Sequence, residues 1–592
     1  MPRTDRPIFR GGTRIETARY PLADDGATRT RKGRGKSEGE PRKWAYPKGR
    51  QVAAQALDEI RALVPTSAFG RGDLIENLHR IQDLCGCLSA AHLAALAEHM
   101  GLAQAEVYEV ATFYAHFDVM KEGADPPPPV TVRVCNGIAC ALGGAEDLRR
   151  TLSDGLDDGV RVVAVPCVGG CDRAPVVVVG KNRIHDATPD RVVGAVKAGA
   201  FAPAFTAHKD FGAYVAEGGY RILEALRDGG RSRDDVLQTL ERADLRGLGG
   251  AGFPVARKWR FLLDAPKPRL LAVNADEGEP GTFKDRFCLE TDPHRVLEGA
   301  LIAAWVIEAD EIYIYLRDEY PGLHETLAVE IARLDSEGLA TKTRFHLRRG
   351  AGSYVCGEES AMLESIEGKR GLPRNRPPYP AQRGLFGRPT LINNVETLYW
   401  LREILERGAE WYLSEGRPHL YSVSGRVRAP GVKRVPLGVT ARQLIEDHAG
   451  GMAAGHALKA YLPGGASGGI LPAHLADLPL DFDKLDSYGC FIGSSALVVI
   501  SESDSIRSVV LNLLRFFAHE SCGQCTPCRL GTEKMVQLLD RPRWDEGLLE
   551  ELSAAMRDAS ICGLGQAAPN PVRSAFRFFA DEIEGVPSGD GR

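Results

Sequence analysis

The sequence predicts a multidomain protein of the α/β and α classes, and three observations carry that expectation. The chain has 592 residues, several times what one hydrophobic core organises, so at roughly 100–200 residues per domain three to five domains are expected. Its hydrophobic period changes along its length, from helical spacing to strand alternation, to strands alternating with helices, and back to helical spacing. Its composition, 44% hydrophobic and 26% charged, is that of a folded globular chain and excludes collagenous and low-complexity classes.

Residues 1–49 form a basic arm. The first 50 residues hold 14 Lys/Arg against 6 Asp/Glu, a charge of +8, which leaves −13 for the rest of a chain whose net charge is −5. "TRTRKGRGK", beside Gly and Pro, predicts disorder there. An acidic body follows and no groove-reading motif appears, so docking on an acidic partner subunit is expected rather than nucleic-acid binding.

Over 50–124, "LIENLHRIQDL", "AAHLAALAEHM" and "AQAEVYEVATFYAHF" repeat apolar residues at three and four, a small helical bundle. The "DPPPP" run ends it, and over 125–205 strands "VTVRVC", "VRVVAVPC" and "PVVVVG" with helix "AEDLRRTL" give a compact α/β domain. Over 206–415, strands "RLLAVNA", "EIYIYL" and "RFHLRRG" alternate with helices near 293–307 and 322–333, a parallel sheet with crossover helices. Residues 416–502 are β-rich and 503–592 helical. The most apolar run, "GALIAAWVIEADEIYIYL", is interrupted by Glu308, Asp310 and Glu311, and no leader is visible, so a cytoplasmic protein without membrane spans is expected.

Thirteen cysteines without a secretory signal argue for metal binding rather than a disulfide framework. Cys135 and Cys140 precede Cys167 and Cys171 in apolar, glycine-rich loops whose backbone N–H groups can face a cluster; spacing alone leaves zinc and an iron–sulfur centre both open. Cys522, Cys525 and Cys528 form the CxxCxxC run of a 4Fe-4S site that lacks its fourth ligand. Cys562 is the only cysteine beyond Cys528 and is assigned that place, a zinc knuckle being the alternative. Cys85, Cys87, Cys288, Cys356 and Cys490 lie among apolar or glycine-rich neighbours and are expected to be buried free thiols.

"RGLGGAGFP" carries GxGxxG at Gly247, Gly249 and Gly252, but a helix precedes it where the usual dinucleotide fingerprint needs a strand. What remains is a glycine turn opening a helix with Lys258 one turn in, suited to a phosphate. "NADEGEPGTFKDR" places Asn274, Asp276, Glu277 and Glu279 just beyond an apolar strand, where ligands bind in parallel sheets, although a solvated acidic turn explains them equally. Gly350, Gly352, Gly357, Glu358 and Glu359 repeat the theme, and "TLINNVETL" adds the amides of Asn393 and Asn394.

Together these motifs resemble two subunits of the peripheral arm of respiratory complex I fused head to tail, the 24-kDa-type 2Fe-2S subunit and then the 51-kDa-type flavin subunit, over about residues 50–585. The resemblance implies a helical bundle, a thioredoxin-like 2Fe-2S domain, a Rossmann-like FMN/NAD domain, a ubiquitin-like SLBB domain and a C-terminal helical 4Fe-4S domain. It implies FMN, NAD, a 2Fe-2S cluster and a 4Fe-4S cluster as cofactors. By matching motif, Gly247, Gly249, Gly250 and Lys258 cradle the FMN phosphate, and Asn274, Asp276, Gly357, Glu358, Asn393 and Asn394 contact its ribityl chain and ring. Phe253, Phe261, Glu279, Glu359, Arg376 and Tyr379 match positions that hold NAD(H). Arg376 and Tyr379 depart from the Lys and Phe usual there but keep charge and ring.

Within that group the fused plan, "PKGRQV" and "GADPPPPVTVRVCNGIACALGG" are most similar to the beta subunit of NAD-dependent molybdenum or tungsten formate dehydrogenase. The diaphorase subunit of NAD-reducing hydrogenase is the alternative, and an iron–sulfur subunit with an inactive nucleotide site is a third reading. The resemblance implies a catalytic alpha subunit with a molybdenum or tungsten pterin and its own clusters as partner, with small accessory subunits, and neither nucleic acid nor membrane. Electrons would run reversibly between that partner, the 4Fe-4S centre, FMN and NAD+, hydride transfer being the flavin's chemistry and needing no catalytic side chain.

Overall fold

The computed structural model describes residues 50–65 and 70–583. The basic arm expected over 1–49 and the last residues of the expected C-terminal domain lie outside the described residues.

Helices Ala54–Leu63, Leu74–Cys85, Ala90–Met100 and Gln104–Phe113 form the N-terminal layer. Leu74, Ile75, Leu78 and Ile81 recur at helical spacing on one buried face. That helix stops where Gly86 adopts φ 75° and its N–H returns to the Gln82 carbonyl. Ser89 starts the next helix by accepting from the His92 N–H at 3.0 Å. The stop corrects one expectation: Cys288, Cys356 and Cys490 are buried, but Cys85 is exposed and Cys87 half-buried. They sit at a helix end whose core face is already spent on Leu78 and Ile81, and Leu84 beside them is exposed too.

The second layer is a four-stranded sheet of β1 (Val130–Cys135), β2 (Val160–Val165), β3 (Val177–Val179) and β4 (Asn182–Ile184), in the order β2-β1-β3-β4. β1 and β2 run parallel, and the other pairs antiparallel. Helices Ala145–Gly155 and Pro189–Lys197 complete this thioredoxin-like domain.

The Rossmann-like domain holds β5 (Arg269–Ala275), β6 (Ala309–Leu316), β7 (Arg344–Arg349) and β8 (Thr390–Asn394), ordered β7-β6-β5-β8 and parallel throughout. Helix Pro293–Ile307 crosses from β5 to β6 and helix Pro321–Ser336 from β6 to β7. The first is buried almost all round, which explains the apolar run from Gly299 to Ile307. β8 adds a strand that the sequence pattern does not announce, because "TLINN" is short and does not alternate.

β9 (Pro418–Gly425), β10 (Gly431–Pro436), β11 (Leu458–Leu462), β12 (Leu471–Pro472) and β13 (Ala496–Ser501) form the SLBB-like sheet, ordered β10-β9-β13-β11-β12. Helices Ile506–Glu520, Thr526–Leu539, Glu546–Ala559, Gly563–Ala567 and Asn570–Phe578 close the chain. Among the described residues no helix is long and apolar enough to cross a membrane.

Candidate functional site

Cys135 ends β1, Cys140 lies in the short helix Ile138–Leu142, and Cys167 and Cys171 lie in the loop after β2. All four are buried. The Sγ atoms of Cys167 and Cys171 stand 3.3 Å apart, too far for the roughly 2.05 Å of a disulfide. Cys135 and Cys171, each sharing a proton with a sulfur neighbour, are held well above the usual thiol range, while hydrogen bonds from those same two neighbours hold Cys167 well below it. A Cβ at Gly137 would stand 3.0 Å from Cys167 Cβ, so glycine lets the loops converge. Four buried, converging, unbridged sulfurs fit a metal cluster and little else.

Cys522, Cys525, Cys528 and Cys562 line one small cavity with Val355, Pro373 and Leu564. Cys525 caps the start of helix Thr526–Leu539 and Cys528 lies in its first turn, where the helix dipole favours thiolate. Burial pushes Cys528 up to about 12 and Cys562 up to about 11, so cations rather than empty space suit this set. A Cβ at Gly565 would come within 2.9 Å of Cys528 Cβ, which explains the glycine beyond Cys562.

A candidate nucleotide site is built at the edge of the parallel sheet. β5 and β8 are neighbours with Asn274 opposite Asn394 and Val273 opposite Asn393, so three amides lie at the C-terminal edge of a parallel sheet. Asn274 donates to the Gly357 carbonyl at 2.8 Å and accepts from the Asp276 N–H at 3.1 Å. Trp259 donates to Asn393 at 3.1 Å. The glycine loop follows helix Arg233–Arg242 and opens helix Val255–Leu263. Gly250 has φ 122° and Gly252 φ 63°, and a Cβ at Gly249 would meet Asn394 at 3.1 Å. Lys258, lowered by burial, stands 3.7 Å from Glu359. Glu358 caps helix Glu359–Ile366 and pairs with Arg376, which also reaches Glu359 at 3.2 Å. Gly247 receives no side chain's bond; its N–H donates to the Phe253 carbonyl at 2.9 Å.

Asp276 Oδ2 is buried without a hydrogen-bond partner, and burial pushes this carboxyl well above its usual range. The unpartnered Oδ2 of Asp276, near Gly357, is open to a ligand's hydrogen-bonding group, and the glycine loop with Lys258 suits a phosphate end; FMN has both parts. Phe253, Phe261 and Tyr379 stand 40%, 51% and 55% exposed, and the first two rings lie 6.5 Å apart under Arg257. Glu279 is not on that open side. It is buried, bonded by Ser467 N–H at 2.7 Å and by the Tyr354 hydroxyl, tying the pocket loop to the SLBB-like domain.

Residues that the sequence motifs leave unassigned support the pocket from behind. Lys284 is buried between Glu396, 2.7 Å away, and Asp285, 3.0 Å away. Asp285 in turn accepts from Asn394 at 2.6 Å. Arg317 donates to the Cys167 carbonyl at 2.7 Å and to the Glu277 carbonyl at 2.5 Å, joining the first cysteine loop to the pocket loop. Lys284 is visible in "NADEGEPGTFKDR", but its partner Glu396 lies too far along the chain for any local signal.

Fold and sites together define an iron–sulfur flavoprotein. Residues 240–403 match the family described as Nuo51 FMN-binding domain, 508–585 the NADH-ubiquinone oxidoreductase-F iron-sulfur binding region, and 60–199 the thioredoxin-like [2Fe-2S] ferredoxin. An NADH-quinone oxidoreductase subunit of Rhizobium meliloti (strain 1021) is 42% identical over 62% of this chain and 92% of its own. The corresponding NADH-quinone oxidoreductase subunit of Aquifex aeolicus (strain VF5) is 38% identical over 63% and 90%. The chain belongs to the family of these NADH-quinone oxidoreductase subunits, and it carries FMN-binding, 2Fe-2S and 4Fe-4S regions. A chain in the crystal structure of an air-oxidised NAD+-reducing [NiFe]-hydrogenase overlays it with a TM-score of 0.77 at 32% identity, covering 89% of this chain and 96% of that one.

These relatives overturn the narrower expectation of a formate dehydrogenase beta subunit. The physical reason is that every motif that carried the expectation is a flavin, nicotinamide or cluster motif common to the whole group, so none of them bears on a partner's substrate.

Proposed function

We propose that the chain is a diaphorase-type subunit that exchanges electrons between NAD(H) and an iron–sulfur partner, in an assembly of the NAD+-reducing hydrogenase kind. The observation that carries this reading is that both halves of the chain, two cysteine sites and one candidate nucleotide site, overlay a single chain of such a hydrogenase over 96% of its length. The NADH-quinone oxidoreductase relatives cover only 62–63% of the sequence.

Bound FMN would supply hydride exchange with nicotinamide and single-electron exchange with the clusters. The chain's own residues position. The loop with Gly247, Gly249 and Gly250, with Lys258, holds the phosphate end. Asn274, Gly357, Asn393 and Asn394 orient the ribityl chain and ring, and Asp276 offers them its unpartnered Oδ2. Phe253, Phe261 and Tyr379 offer aromatic faces to NAD, with Glu359 and Arg376 setting charge at the mouth. Glu279 acts from behind, holding the loop against Tyr354 and Ser467.

A partner subunit with its own clusters is proposed to dock beside Cys525, over the groove between helices Thr526–Leu539 and Glu546–Ala559, where Leu530 is exposed. A molybdenum or tungsten pterin in that partner falls with the formate reading. Thirteen free thiols suit a reducing, cytoplasmic compartment, which fractionation of the native host would test.

The test is the purified chain. It should hold FMN stoichiometrically and reduce an artificial acceptor with NADH, and the large subunit that copurifies should contain nickel. Intact clusters with neither FMN nor NADH-driven activity would leave an iron–sulfur subunit with an inactive nucleotide site.

A further inference from the structure

We propose a transition-metal site of the zinc class, formed by buried His79 with His116 and Asp318, the last two in the wall of a cavity between the thioredoxin-like and flavin domains. One ligand atom from each lies within 4.8 Å of the others. His79 is 2% exposed. Its Nε2 stands 2.8 Å from the Gly350 carbonyl, which can only accept, so Nε2 carries the hydrogen and Nδ1 presents a lone pair. That Nδ1 is buried with no hydrogen-bond partner. An imidazole locked by a backbone carbonyl on one nitrogen and bare on the other is the usual arrangement of a metal-ligating histidine, and without a metal the bare nitrogen costs desolvation.

The other two ligands bond to each other. His116 Nδ1 is 2.5 Å from Asp318 Oδ2, while Asp318 Oδ1 accepts from Arg349 Nε at 2.5 Å, an outer contact that orients the carboxylate. The two imidazole centroids lie 4.9 Å apart. Zn–N and Zn–O bonds of about 2.0–2.2 Å set tetrahedral ligand atoms roughly 3.3–3.6 Å apart, so the 2.5 Å His116–Asp318 contact opens by about 1 Å and the widest separation closes by roughly as much. The metal replaces the proton shared by His116 and Asp318, which leaves as a hydrated proton, and no electrons move.

His116, Asp318 and Arg349 line a cavity of about 210 Å³, room for an entry path and for water in the remaining coordination position. Two imidazoles and one carboxylate favour zinc over calcium or magnesium, which take oxygen. The ligands come from helix Leu74–Cys85, from the segment after helix Gln104–Phe113 and from just beyond β6, so the ion would clamp the N-terminal helices to the flavin sheet.

The test uses full-length protein with both clusters complete by iron and sulfide analysis, equilibrated with Zn2+ and dialysed. We expect one zinc per chain and an anomalous peak at the zinc edge between His79 and Asp318. In His79→Gln and Asp318→Asn that equivalent binds at least about 10-fold more weakly, with iron and FMN contents unchanged. Wild-type protein without zinc, or zinc retained in both variants because it sits at Cys85 and Cys87, would overturn the assignment. If neither variant folds, the position of the anomalous peak in wild type decides.

Discussion

Lys284→Met isolates the buried charge that holds Asn394 in place. Lys284 is 1% exposed by its side chain and Glu396 fully buried, with Nζ 2.7 Å from Glu396 and 3.0 Å from Asp285. Methionine keeps the volume but leaves two buried carboxylates without a cation, a loss of about 3–5 kcal/mol for a broken buried pair. At about 1.4 kcal/mol per decade this is roughly a 140- to 3,700-fold rise in local opening around Asn394. Burial alone would push Glu396 up, but Lys284 outweighs it and holds the carboxyl below its usual range. In the wild type Glu396 therefore contributes stability that is present above its unfolded pKa of about 4.5 and lost as pH falls through the lower folded value. In the variant burial is opposed only by His419 and the Leu420 N–H, the folded pKa rises, and stability is lost as pH rises. Thermal unfolding and FMN fluorescence in the filtrate at pH 5.5 and 8 report both effects. The variant should release FMN chiefly at pH 8, and Glu396→Gln in the Lys284→Met background should restore retention. Equal FMN retention by variant and wild type at pH 8 would refute the argument.

Arg317→Met removes a buried cation 2.7 Å from the Cys167 carbonyl, and the first cluster's potential should fall by on the order of 50–100 mV in an EPR-monitored titration. Gly565→Ala forces a methyl to 2.5 Å from Ser560 Oγ and 2.9 Å from Cys528 Cβ; overpacking of about 1–3 kcal/mol should lower iron from the second site while the first keeps its two iron atoms. Gly252→Ala, at φ 63° with Phe482 only 2.7 Å from the new Cβ, should weaken FMN binding about 10-fold in equilibrium dialysis. Burial, with Asp285 nearby, pushes Glu277 up to about 7, so this group's stability is full below about 4.5 and lost as pH rises through 7. Glu277→Gln should flatten the melting temperature between pH 5 and 8.

The cysteine sets were legible because a thiolate site must declare its ligands as cysteines, and Cys562 had no rival after Cys528. The glycine loop and the paired asparagines were legible as chemistry, although β8, which presents Asn393 and Asn394, was not legible as a strand. Cys85 and Cys87 misled because apolar neighbours do not reveal which side of a helix end meets solvent. The family motif points Glu279 at the nicotinamide, and only the tertiary structure shows Ser467, far along the chain, claiming its carboxylate. Lys284 with Glu396 and Arg317 with Cys167 are contacts across long stretches of chain, beyond any local pattern. The upstream substrate was illegible for a different reason: in the proposed assembly its binding residues would belong to another polypeptide.

The pairing of β5 with β8, which sets Asn274 opposite Asn394, has a consequence in time. During synthesis the thioredoxin-like domain can close as soon as its last helix, Pro189–Lys197, leaves the ribosome. The flavin pocket must wait for β8, roughly 200 residues or 10–40 s later at usual elongation rates. Through that interval the growing polypeptide holds a finished thiol nest and an unfinished sheet edge at β5. Cluster assembly can therefore precede flavin insertion, and chaperones have an unpaired strand to shield.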